Sequence, residues 1–230
     1  MESTNNKESY IVSLQSVSIF GSGEPLLEKI DFKLVKNDFV FLLGKTGQGK
    51  TSFLKTLYGE MALKVGVGKV FGFNLAHLNS HNLPLLRRNL GIVFQDFQLL
   101  NDRTIFENLH FVLQVTGWEN EGQIIAKINE VATNVGMENK LSKMPFQISA
   151  GEQKLIDIAR AMLNSPKLII ADEPTANLDA ETSEKIMNLL FSISQEKETA
   201  VIISTHDLQF ISKYPAKKYE IFDKKLHPLN

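Results

Sequence analysis

Gly44-Lys45-Thr46-Gly47-Gln48-Gly49-Lys50-Thr51 follows directly on the apolar run Phe39-Val40-Phe41-Leu42-Leu43. A short, continuous apolar run is what a strand buried on both faces requires. Beyond the loop, Thr51 to Tyr58 reads as a helix with Leu54, Leu57 and Tyr58 on one side. Strand, glycine-rich loop and helix are the context in which G-x-x-x-x-G-K-[ST] cradles a phosphate chain. The glycines let the backbone curl until successive N–H groups converge on an anion, and the helix adds its positive end. Lys50 supplies a mobile cation for β- and γ-phosphates, while the Thr51 hydroxyl is a hard oxygen ligand suited to Mg²⁺. Gly44 through Thr51, with Ser52 next in line, is therefore the candidate nucleotide-contacting segment. A glycine-rich turn with a surface lysine would not need the flanking strand and helix.

Working outward, Ile11–Phe20 and Ile30–Leu34 read as strands on the N-terminal side. From Thr104 to Leu163 the periodicity is helical almost throughout. Thr104 and Glu107 predict a capping box, as do Ser149 and Glu152, while Gly117 and Gly136 mark helix ends. Strands return at Leu168–Ala171 and Val201–Ile203, with a helix carrying Ile186, Leu189, Leu190 and Ile193 between them. Alternating strands and helices predict an α/β fold, with a mostly parallel sheet that binds ligands at the carboxyl ends of its strands. Asp172 and Glu173 stand just past one such end, and Thr205 and His206 past another. In that place Asp172 suits a magnesium site, and Glu173 is set to orient or deprotonate an attacking water. An Asp-Glu pair could also be a solvated cluster at a helix start, where acids are favoured. His206 is read as a γ-phosphate contact, with an ordinary loop histidine as the alternative.

Composition narrows the classes. The 230 residues suffice for one sizeable domain, and 43% hydrophobic with 22% charged residues is ordinary for a packed core. A formal net charge of −1 argues against a broad electrostatic grip on nucleic acid. Without cysteine, a disulfide framework or a Cys-ligated metal is excluded. Met1–Ser9 is polar and reads as a flexible tail, not a signal peptide. No apolar run approaches the roughly 18 to 20 residues of a membrane span.

The motifs occur in the order of an ABC nucleotide-binding domain, which the chain resembles from about Ile11 to Leu226. They are the glycine loop, Gln95 in Val-Phe-Gln-Asp, Ile148-Ser149-Ala150-Gly151-Glu152-Gln153, Ile169 to Thr175, Asn177-Leu178-Asp179, and His206. The resemblance implies a P-loop NTPase (RecA-like) core with an antiparallel β subdomain and an inserted α-helical subdomain. Residues 10–230 would form one domain, with the core at about 10–95 and 160–230 and the helical part at about 96–159. It further implies ATP and Mg²⁺ as cofactors, ATP hydrolysis, and an ATP-dependent homodimer in which each nucleotide touches one copy's P-loop and the other's signature. Ser149, Gly151 and Glu152 would then meet the partner copy's ATP, and Asp179 would lie at the interface. Gln95 would contact Mg²⁺ and water, and Phe20 resembles the aromatic that stacks on adenine, with a core position as its alternative.

Within that family, Arg87-Arg88-Asn89-Leu90-Gly91-Ile92-Val93-Phe94-Gln95-Asp96, running into Leu99 to Thr104, is similar to the FtsE group. That likeness implies an FtsX-like permease as membrane partner, peptidoglycan remodelling in cell division, and a peripheral place on the cytoplasmic face of the membrane. A lipoprotein-release or other transporter ATPase shares the same chemistry. Ala150 departs from the usual Ser-Gly-Gly, and an arginine common at position 155 is replaced by Leu155. A methyl at 150 would crowd phosphate and slow turnover, which also allows a nucleotide-switched regulatory module.

Overall fold

The computed structural model describes residues 10–196 and 198–229; the Met1–Ser9 tail lies outside them. Two sheets make the frame. A four-stranded antiparallel sheet, in the order β2-β1-β4-β5, contains β1 (Val12–Phe20), β2 (Pro25–Leu34), β4 (Val65–Val70) and β5 (Phe73–Asn74). A six-stranded sheet has β3 (Phe39–Leu43), β6 (Leu90–Val93), β7 (Leu168–Asp172), β8 (Ala200–Thr205), β9 (Lys217–Phe222) and β10 (Lys225–Leu229). Its order is β10-β9-β3-β8-β7-β6, parallel throughout except for the β9–β10 edge pair. The α/β class with both a parallel and an antiparallel sheet agrees with the sequence reading.

Strand β3 explains why the parallel sheet is central. All five of its residues are at most 5% exposed. Phe39, Phe41 and Leu43 join the core beneath the helices, while Val40 and Leu42 join the core beneath the antiparallel sheet. The period-2 alternation of a strand thus splits one apolar run between two cores. On the second side, α1 (Lys50–Leu57) packs Phe53, Leu54 and Leu57 beneath Phe32, whose ring meets Phe53 edge-on at 5.3 Å.

The stretch expected to be helical from Thr104 to Leu163 is broken into three helices. These are α3 (Ile105–Val115), α4 (Glu121–Asn134) and α5 (Ala150–Met162), after the short α2 (Asn82–Arg87). Between α4 and α5 the chain makes two 3₁₀ turns, Glu138–Lys140 and Pro145–Gln147, in place of α-helix. The ends at Gly117 and Gly136 are those expected, and the 3₁₀ turns are the difference. Gly117 (φ 93°) and Gly136 (φ 71°) take the left-handed conformation that ends a helix, and Pro145 lacks the amide needed to continue one. Both capping boxes form as expected. The final helix, α6 (Ala180–Glu196), buries Ile186, Leu190 and Ile193 against the β3 aromatic face. No helix among the described residues is long and apolar enough to cross a membrane.

Candidate functional site at the strand ends

Four parallel strands deliver the chemistry to one edge. Strand β3 runs into Gly44, β6 into Gln95, β7 into Asp172–Glu173, and β8 into Thr205–His206. A cavity of about 330 Å³ opens there, lined in part by Thr46, Gly47, Gly49, Lys50, Thr51, Ser52, Gln95, Glu173 and His206. Asp172 opens with Thr51 and Gln95 onto the adjoining cleft. The sequence-predicted phosphate, magnesium and catalytic residues from one chain are therefore brought together.

Backbone geometry makes the loop possible. Gly49 stands at φ 100° immediately before α1, a conformation that strains any residue with a Cβ. At Gly44 an added Cβ would come within 2.9 Å of the Ile221 carbonyl oxygen, so the β3 exit has no room for a side chain. Gln48 folds back to accept the Lys45 amide at 2.7 Å. Lys50, 6% exposed, donates to the Gly44 carbonyl at 2.7 Å and lies 3.3 Å from a Glu173 carboxylate oxygen.

Glu173 is the hub of the arrangement. Its other oxygen is 2.6 Å from His206 Nδ1, so one carboxylate spans the lysine and the histidine. Its φ of 48° is unusual for a residue with a side chain and costs about 1–3 kcal/mol, an expense concentrated at functional sites. The surroundings enforce it: the Glu173 amide donates to both the carbonyl and the hydroxyl of Ser204, each at 3.1 Å. The Ser204 hydroxyl in turn donates to Asp172. Ser204 pairs in register with Asp172 across β7 and β8 and is fully buried. Sequence reading passed over this serine; its signal was its place at the end of the β8 apolar run, opposite the Asp172 strand end.

The remaining candidates lie elsewhere. Ser149, Gly151 and Glu152 form the first turn of α5, away from this cavity's lining. Ser149 Oγ accepts the Glu152 amide at 3.2 Å and Glu152 accepts the Ser149 amide at 2.8 Å. Those bonds hold the Glu152 carboxyl below its ordinary range, the Ser149 amide contributing most. Gly151 has an intramolecular reason to be glycine, because a Cβ there would meet Thr182 Cγ2 of α6 at 2.5 Å. The methyl of Ala150, by contrast, is exposed. Asp179 accepts the Thr182 amide at 2.9 Å and so caps the start of α6, besides any interface role. Phe20, half-buried at the end of β1, does not line the cavity; Leu26, on β2, is its apolar wall.

The donor set fits a hard cation. A hydroxyl from Thr51, an amide oxygen from Gln95 and a carboxylate from Asp172 are all oxygen ligands of the type Mg²⁺ prefers. Among the described residues no three His, Cys, Asp or Glu side chains gather to hold a metal alone. A cation here would lean on phosphate oxygens as well.

Comparison with known proteins agrees with this geometry. Residues 27–176 match the family described as ABC transporter. The cell division ATP-binding protein FtsE of Streptococcus pneumoniae serotype 2 (strain D39) is 39% identical over 196 residues, 85% of this chain and 84% of that protein. FtsE of Mycobacterium tuberculosis is 38% identical over 87% of this chain and 86% of that one. Among solved structures, cbiO1 from Clostridium perfringens, part of the ABC transporter complex cbiONQ, superposes with a TM-score of 0.86 at 25% identity, covering 94% of this chain and 86% of that one. The dimeric post-hydrolysis state of the ATP-binding cassette MJ0796, bound to ADP and phosphate, gives a TM-score of 0.84 at 27% identity, covering 95% and 99%. The chain belongs to the ABC transporter family, as an ATPase cassette similar to the cell division ATP-binding protein FtsE.

Proposed function

We propose that the chain binds Mg-ATP at the Gly44–Ser52 loop, closes on ATP into a homodimer, and by hydrolysis drives a conformational change in a membrane partner. The observation that carries this reading is Glu173, held at φ 48° between Lys50 and His206 at the mouth of the phosphate cavity. Lys50 and His206 each contact the Glu173 carboxylate. A triphosphate would draw Lys50 to its β- and γ-oxygens, leaving Glu173 free to accept a proton from water and His206 free to donate to the γ-phosphate. Bound Mg²⁺, held by Thr51, Gln95 and Asp172, would supply charge neutralisation on the phosphates. Ser149 would aim the positive end of α5 at the γ-phosphate of a second copy, with Gly151, Glu152 and Asp179 in the same interface and Phe20 beside the adenine.

The partner is an integral membrane protein of the FtsX permease type, in cell division and peptidoglycan remodelling, with the chain peripheral on the inner membrane face. Residues 96–159 would relay the motion as a helical subdomain inserted in the core. Support for a docking surface there comes from the loop ahead of α3. Asn108 pins that loop by accepting the Leu100 amide and donating to the Leu100, Arg103 and Thr104 carbonyls. Exposed Leu100 and Phe111 flank it, with Arg103 4.7 Å over the Phe111 ring. A lipoprotein-release or other transporter ATPase would use the same site with another partner.

The deciding experiment is steady-state ATP hydrolysis with Glu173→Gln. Turnover in the native chain, reduced by about 10²-fold or more in the variant, supports the reading. Equal rates, or none above background, would sink it. Recovery of a multi-span exporter from membranes, in place of an FtsX-like protein, would transfer the function to transport.

A further inference from the structure

Helix α5 carries charge where an interior helix should be apolar. Lys154 is 1% exposed and Asp157 fully buried, and with Arg160 they form an i, i+3, i+6 ladder along one side of the helix. An uncompensated buried charge is costly, so the partners of each group are informative. The Lys154 ammonium donates to the carbonyls of Phe94 at 2.5 Å and Gln95 at 3.1 Å, and lies 4.9 Å over the Phe97 ring. Arg160 donates to the Gln98 carbonyl at 2.6 Å and the Phe97 carbonyl at 3.1 Å, and also bonds Asp157. Every one of these contacts outside the ladder falls on residues 94–98, the segment that carries Gln95 to the phosphate cavity.

The chemistry of the ladder is asymmetric. Asp157 Oδ2 has no hydrogen-bond partner, and Lys154 Nζ stands 3.7 Å from it, an ion-pair distance. Burial pushes the Asp157 carboxyl up to about 6, against the pull of Arg160 and Lys154. Burial also pushes the Lys154 ammonium down, against Asp157, with Arg160 and Asp96 the other charges it feels. Packing alone would have been served by an apolar side chain at either position. What the charges add is directional grip on main-chain carbonyls. The same helix is capped by Ser149, so loop and signature turn hang from one element.

We infer that Lys154, seated by Asp157, is a positioning residue for hydrolysis: by fixing the Phe94 and Gln95 carbonyls it holds the Gln95 side chain over the phosphate cavity. This rests on the proposal that Gln95 contacts the cation and the attacking water. Lys154 does not line the cavity, and its effect runs through the loop.

The test uses the full chain, Lys154→Met, Gln95→Ala and the double variant. Lys154→Met is expected to lower kcat by about ten- to a hundredfold, the range for a displaced catalytic group, while the KM for ATP stays within about twofold. The double variant should be no slower than Gln95→Ala alone, since a misplaced glutamine and an absent one are equivalent. Without nucleotide, amide hydrogen exchange across residues 94–98 should speed up by about tenfold or more in Lys154→Met, with residues 44–51 unchanged. Should Lys154→Met fold poorly, Asp157→Asn, which keeps the shape and removes the counter-charge, is expected to show the same kcat-only loss and faster loop exchange. Multiplicative losses in the double variant, or unchanged loop exchange, overturn the inference while leaving Gln95 its role. Native turnover in Gln95→Ala overturns that role and the inference with it.

Discussion

Ser204 illustrates how the acid pair of the candidate site is held by a side chain outside that pair. Its hydroxyl donates to Asp172 and accepts the Glu173 amide, so it orients one acid and holds the other in a left-handed backbone conformation. Removing the oxygen takes a donor from the Asp172 carboxylate and leaves the Glu173 amide with the Ser204 carbonyl alone, which costs about 1–3 kcal/mol. Ser204→Ala should lower unfolding stability by that amount in urea titration and slow hydrolysis, since Asp172 and Glu173 both lose an anchor. Unchanged stability would show that water replaces the hydroxyl. At Ala150 the sign reverses. Its methyl is exposed, and in the proposed dimer it would face the other copy's phosphate, so Ala150→Gly should raise kcat while costing up to about 1 kcal/mol of helix stability. An unchanged hydrolysis rate would leave the methyl without catalytic consequence.

Among the elements, α5 carries two features on different parts of its length: its first turn is closed by a capping box, and its buried ladder grips the Gln95 loop. The cap has a pH signature. The Glu152 carboxyl is held low, chiefly by the Ser149 amide and with help from Lys140, so its charge stabilises the fold above the ordinary glutamate range. That contribution is lost as pH falls through the depressed value. The melting-temperature gap between native chain and Glu152→Gln should therefore be constant from neutral pH down to about 5 and close at lower pH. A gap that persists in acid would assign the effect to side-chain shape. Periodicity in 104–163 foretold the helices and caps but not the 3₁₀ turns at 138–147. Those turns satisfy the apolar spacing of a helix while Gly136 and Pro145 redirect the chain, and spacing alone cannot tell the two apart.

At the scale of the whole molecule, the proposed function divides the site between the strand ends of one copy and the first turn of α5 in another, and that turn does not line the strand-end cavity. If ATP brings two copies together, Glu173→Gln with Mg-ATP should elute as a dimer in size-exclusion chromatography and the native chain largely as a monomer; a monomer under both conditions would refute closure. Arg103→Glu should weaken capture of the membrane partner while ATP affinity is unchanged; an unaltered pull-down would move the docking surface away from the loop before α3. The sequence by itself determined the phosphate loop, the Asp172–Glu173 pair, His206 and both capping boxes. Each depends on residue types at short spacing and on the period of the apolar pattern, which are local properties. Only the tertiary structure decided that Ser204 braces the acids, that Leu26 and not Phe20 walls the cavity, that Gly151 packs closely on Thr182, and that Lys154 and Arg160 grip residues 94–98. Those contacts join segments from about 20 to 60 residues apart through parallel strand register and helix packing, and no local spacing encodes them.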